Sequence, residues 1–214
     1  MRAPGEKLLI DGPAGQIDTL MECPDQPCGI ALVAHPHPIG GGANTNKVAY
    51  TLARAFLSLG YAAFRPNFRG VGDSDGEHDE GNGETDDLLV VLTEAKRRCG
   101  DLPVALAGFS FGAYCQTRVA RRLAESGCPA QRLVLVGTAA GFIEGARQYD
   151  TEAVPPDTIV IHGSADHTVP LANVLAWAEP LDLPVIVVPG ADHFFHRRLH
   201  HIRDIVTGMW QPRA

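Results

Sequence analysis

The sequence predicts a doubly wound α/β fold: a mostly parallel sheet of about eight strands, helices on both faces and no cap domain. Three observations point there. Short apolar segments that end in a glycine or a polar turn recur along the chain, and longer amphipathic segments alternate with them. The apolar runs are continuous, as in LVLVG at 133–137 and VIVV at 185–188, which marks strands buried on both faces. Strands alternating with helices require βαβ crossovers, so neighbouring strands run parallel.

The elements follow in order. Segments 7–10 and 16–21 flank Asp11-Gly12-Pro13-Ala14-Gly15, whose glycines and proline signal a hairpin, so the sheet opens with an antiparallel pair. Buried strands are expected at 29–34, 61–66, 104–108, 132–137, 158–162 and 184–188. Helices are expected at 47–59, 84–99, 112–126, 171–178 and 196–210. The stretch 73–87 is crowded with Asp, Glu and Gly. It is not a calcium loop: counted from Asp75, Gly81 falls at the seventh position, whereas the sharp turn of such a loop needs glycine at the sixth. It reads as a solvated loop feeding acidic residues into the first turn of the next helix, where the helix dipole favours them. Between the sixth and seventh strands, residues 138–157 leave too little chain for a separate cap.

Composition narrows the function. A chain of 214 residues with 45% hydrophobic residues suits one domain spanning 1–214. The net charge of −7 argues against a surface that tracks nucleic-acid phosphates. No apolar run approaches the roughly 20 residues that cross a bilayer, and residues 1–11 lack the apolar core of a signal peptide. Five cysteines without a CxxC spacing fit neither a disulfide framework nor a zinc site. Reduced thiols in the cytoplasm are the expectation.

The chemistry is concentrated in Gly108-Phe109-Ser110-Phe111-Gly112, a G-x-S-x-G turn between a buried strand and a helix. Such a turn is tight enough to strain the serine backbone and lift its hydroxyl out of the sheet, and glycines at its flanks avoid collisions. A serine hydroxyl is a poor nucleophile until a base takes its proton, and that base needs an acid to orient it. Asp166 lies in the turn after the seventh strand and His193 in the turn after the eighth. In a parallel sheet both turns emerge at the same carboxyl edge as Ser110. Asp192, adjacent to the histidine, is the rival acid. Neighbouring residues in a tight turn usually point apart, which favours Asp166.

The order Ser110, Asp166, His193, together with Asn67-Phe68-Arg69-Gly70-Val71-Gly72-Asp73-Ser74 and the His-rich turn at 35–38, resembles the α/β-hydrolase superfamily. The match is nearest to its small, cap-less, dienelactone-hydrolase-like branch, and it runs from His35 to the last helix. Dienelactone hydrolases proper use a cysteine nucleophile where this chain has Ser110, so the resemblance implies the fold and the triad rather than that substrate. It implies that Ser110 attacks an acyl carbon, that His193 relays the proton and that Asp166 fixes the histidine tautomer. One oxyanion donor is then the backbone N–H of Phe111. The second is expected from 35–39, where Pro36 and Pro38 have no N–H. Alignment with the family's His-Gly-x turn selects His37, with Ile39 as the fallback.

The expected pocket is shallow and open, lined by Ile39, Phe109, Phe111, Phe142 and Phe194. His196 and His200 stand four apart, a spacing that can clasp a metal, but no Glu lies between them and Arg197, Arg198 and Arg203 crowd the region. An exposed basic face is expected, with no metal and no organic cofactor. The expected activity is hydrolysis of a small ester, thioester or lactone through an acyl-enzyme. A peptidase or amidase on the same fold is the near alternative, and a non-catalytic binding protein the distant one.

Overall fold

The computed structural model describes residues 5–210. Strand β1 (Glu6–Gly12) pairs antiparallel with β2 (Gly15–Glu22), Gly12 opposite Gly15, so only Pro13 and Ala14 form the turn. The chain then alternates: β3 (Gly29–Ala34), α1 (Lys47–Ser58), β4 (Tyr61–Pro66), α2 (Asn82–Cys99), β5 (Val104–Phe109), α3 (Phe111–Glu125) and β6 (Arg132–Val136). A small hairpin of β7 (Gly141–Phe142) and β8 (Gln148–Tyr149) follows, then β9 (Ile159–Gly163), α4 (Leu171–Ala178), β10 (Val185–Val188) and α5 (Leu199–Met209).

Eight of these strands form one sheet in the order β1-β2-β4-β3-β5-β6-β9-β10, parallel from β4 onward. Alternation along each strand divides the interior into two cores. Ile30, Leu32 and Leu106 face α2, α3 and α4, while Val33, Ala105 and Ala107 face α1 and α5. Helix α1 starts where Asn46 Oδ1 accepts the amides of Val48 and Ala49 at 2.9 and 3.3 Å, a side-chain N-cap. It buries Leu52 and Phe56 against the sheet. Among the described residues, no helix is long and apolar enough to cross a membrane.

Two elements depart from expectation. Helix α2 begins at Asn82 rather than at residue 84. The buried Glu84 carboxylate accepts the amides of Asp79 and Gly81 at 2.9 and 2.8 Å, which holds the loop's end against the helix. Helix α5 begins at Leu199 rather than at residue 196, because Phe195 and Arg197 sit at φ 52° and 61°, outside the right-handed helical region. His196 and His200 therefore do not share a helix face, and the spacing noted for metal binding does not bring them together.

The register aligns the carboxyl ends of the central strands. Ala34 of β3 pairs with Gly108 of β5, Phe109 with Val136 of β6, and Val188 of β10 with Gly163 of β9. The loops after β3, β5, β9 and β10 consequently converge on one edge of the sheet.

Candidate active site

At that edge the chain passes from β5 into α3 in a single residue. Ser110 has φ 57° and ψ −119°, a conformation that costs an L-residue about 1–3 kcal/mol. Its amide donates to Val136 O at 2.9 Å, and its carbonyl accepts from Ala113 N at 3.0 Å. The neighbours leave no room for side chains beside it. A methyl on Gly108 would strike the Gly112 carbonyl, and one on Gly112 would strike the His35 carbonyl.

The loop after β9 carries Asp166. Its Oδ1 accepts the amides of Thr168 and Val169 at 2.9 and 2.8 Å, which sets the carboxylate in one orientation. Its Oδ2 lies 2.7 Å from His193 Nδ1. On the other side of the ring, His193 Nε2 lies 3.0 Å from Ser110 Oγ. A carboxylate accepts the Nδ1–H, so Nε2 presents its lone pair to the hydroxyl. All three side chains are buried, and the His193 ring rests on Phe109, centroids 4.8 Å apart. Asp192 does not join them: it turns outward and pairs with His196 Nδ1 at 2.7 Å.

The loop after β3 is held from behind by His35. Phe68 N–H donates to His35 Nε2 at 2.9 Å, and His35 Nδ1 lies 2.7 Å from the Pro36 carbonyl. The first contact leaves Nε2 without a proton, so the ring carries it on Nδ1 and donates to Pro36. Burial pushes the His35 pKa down to about 4, consistent with a neutral ring. Because a trans peptide points its C=O and N–H opposite ways, anchoring the Pro36 carbonyl orients the N–H of His37. Ile39, the fallback donor, spends its amide on His37 Nδ1 at 3.2 Å.

A cavity of about 520 Å³ opens over Ser110, lined among others by His37, Ile39, Phe111, Arg147, Tyr149 and Val169. The β7–β8 hairpin supplies one wall. There Arg147 stacks 4.6 Å above the Tyr149 ring and donates to the Glu80 carbonyl. His78, which also lines the cavity, stacks on His37 at 4.6 Å and meets the buried Glu84 at 2.7 Å. Burial, then the charges of His78 and Arg147, lower the His37 pKa.

Of the aromatic and aliphatic side chains expected in the pocket, Ile39 and Phe111 line this cavity and the other three do not. Phe109 belongs to the opposite core and is fully buried, because the last residue of β5 points to the α1–α5 side. Phe142 is 66% exposed and absent from the lining. Phe194 stacks edge-on against Phe109 and is also absent from the lining. Sequence reasoning missed His78, Arg147 and Tyr149. They come from a loop and a hairpin whose placement over Ser110 has no local signature.

A family model for the alpha/beta hydrolase fold matches residues 38–150. An uncharacterized protein of Rickettsia prowazekii is 31% identical, over 94% of this chain and 87% of its own. A serine hydrolase without lid from Xanthomonas campestris superposes with a TM-score of 0.85 at 34% identity, covering 100% of this chain and 98% of that one. A lysophosphatidylserine lipase of Gallus gallus is 38% identical over 98 residues; the match takes in 46% of this chain and 26% of the lipase.

Proposed function

The chain belongs to the α/β-hydrolase family, and on that premise we propose that it is a serine hydrolase cleaving small ester, thioester or lactone substrates through an acyl-enzyme. One observation carries the reading: Asp166 Oδ2, His193 and Ser110 Oγ form a continuous relay at 2.7 and 3.0 Å at the foot of an open cavity.

In the acylation step Ser110 Oγ bonds to the acyl carbon while its proton passes to His193 Nε2. The carbonyl oxygen becomes an oxyanion held by the N–H groups of Phe111 and His37. The tetrahedral intermediate collapses, the bond to the leaving oxygen or sulfur breaks, and His193 returns the proton to that atom. Water then repeats the sequence on the acyl-enzyme and frees the acid. Asp166 stays ionised, fixing the tautomer and stabilising the imidazolium. The aligned amides at the start of α3 add the helix-terminus field to the oxyanion site.

A panel of p-nitrophenyl and thioester substrates, with Ser110→Ala as the blank, tests this reading. The wild-type chain is expected to turn over at least one acyl class. The variant should lose about 10⁴-fold or more of kcat, the scale typical of removing such a nucleophile. A Ser110→Ala protein that hydrolyses the same esters at the wild-type rate overturns it. A monoacyl lipid ester, the kind of substrate for which the Gallus relative is named, lies at the long-chain end of the panel.

A further inference from the structure

Behind the relay lies a second histidine that the mechanism above does not use. His162 belongs to β9 and is completely buried. Its Nε2 lies 3.0 Å from the Val169 carbonyl and 3.5 Å from Asp166 Oδ2, the same oxygen that meets His193. A carbonyl can only accept, so Nε2 carries the proton, and its second neighbour is the carboxylate. Among the described residues, His162 Nδ1 is buried without a partner, which leaves a polar atom desolvated and uncompensated.

Val169 is gripped twice: its N–H donates to Asp166 Oδ1 at 2.8 Å and its carbonyl receives His162. We propose that His162 is a positioning residue whose Nε2–H, bonded to the Val169 carbonyl and 3.5 Å from Asp166 Oδ2, fixes the carboxylate and limits its pull on His193. The inference rests on the reading of Ser110, His193 and Asp166 as a catalytic relay. Its physical content is competition. Asp166 Oδ1 is occupied by two amides and Oδ2 faces two imidazoles. The positive end of an N–H dipole close to Oδ2 offsets part of the carboxylate charge and weakens its stabilisation of protonated His193. His162 itself stays neutral, because burial lowers its pKa more than Asp166 and the Val169 carbonyl raise it.

The groups facing His193 are few. Asp166 and His162 come from β9 and the turn after it, Ser110 from the β5–α3 turn, and the rings of Phe109 and Phe194 from the two flanking sides. Asp192 and His196 are paired with each other toward solvent. Removal of the His162 donor is therefore expected to change the basicity of His193 upward, with no other titratable partner rearranged.

The test is an NMR titration of the His193 imidazole in the wild-type chain, His162→Leu and His162→Gln, which needs no substrate. The leucine variant is expected to raise the His193 pKa by about half a unit or more. Glutamine, whose terminal amide can replace Nε2–H, is expected to restore the wild-type value. The acid limb of fluorophosphonate labelling at Ser110 should move with it, so that labelling at low pH slows about threefold or more in the leucine variant relative to its rate at high pH. Identical His193 titrations in all three proteins overturn the inference. If neither variant folds, the wild-type chain still decides: nitrogen shifts of His162 must report an Nε2–H tautomer, and an Nδ1–H tautomer overturns it. A wild-type chain that the probe never labels contradicts the hydrolase reading instead, while the titration still reads His193.

Discussion

At the residue scale, two aspartates compete in sequence and separate in space. Asp166 accepts two amides and His193, whereas Asp192 accepts His196 at the surface. Asp166→Asn should therefore cut kcat by about 10³–10⁴, the effect of leaving the base in the wrong tautomer. Asp192→Asn should change it less than about threefold, since an exposed pair contributes little. Steady-state kinetics on one activated ester decides between them. His35 gives a pH prediction. Its folded pKa of about 4 lies below the usual 6.5, so the unfolded chain binds the extra proton first as pH falls. The stability it contributes is complete above about pH 6.5 and is lost progressively down to about pH 4, amounting to about 3 kcal/mol. Urea denaturation at a series of pH values should show that dependence flattened in His35→Gln. An unchanged slope would mean that the ring is not the neutral clamp its two hydrogen bonds describe.

At the element scale, legibility in the sequence followed locality. The hairpin, the parallel strands and the turn at Ser110 each have a short local pattern: turn glycines and a proline, continuous apolar runs where both faces are covered, and glycines on either side of the serine. The start of α5 was not legible, because Phe195 and Arg197 adopt left-handed backbone without being glycine. The pocket lining was not legible either. Phe109 and Phe111 flank the same serine, yet one packs on the far core and the other lines the cavity, a difference set by the turn between them. His35 acts on Phe68, 33 residues away, whereas His162 and His78 meet Val169 and Glu84 across a single loop, contacts that depend on how each loop folds and carry no pattern of their own. Gly112→Ala tests the turn itself. Alanine normally strengthens a helix by up to about 1 kcal/mol over glycine. Here its methyl meets the His35 carbonyl, so the variant should instead lose stability by about 2 kcal/mol or more, read as a lower denaturation midpoint.

At the scale of the whole molecule, the carboxyl edge of an eight-stranded sheet gathers the loops after β3, β4, β9 and β10 and one hairpin around Ser110. The segment between β6 and β9 folds as the β7–β8 hairpin, a wall rather than a roof. A cavity of about 520 Å³ without a cap gives a long acyl chain little surface to bury, so short-chain p-nitrophenyl esters should show higher kcat/KM than long-chain ones. A maximum at long chains would count against this geometry. The account stands most directly on whether Ser110 becomes covalently acylated. Intact-mass and peptide mapping after reaction with a fluorophosphonate probe measures that. The expected result is a single adduct on Ser110 in the wild-type chain, none in Ser110→Ala, and slow formation in Asp166→Asn. An adduct elsewhere, or none in the folded wild-type protein, would contradict it.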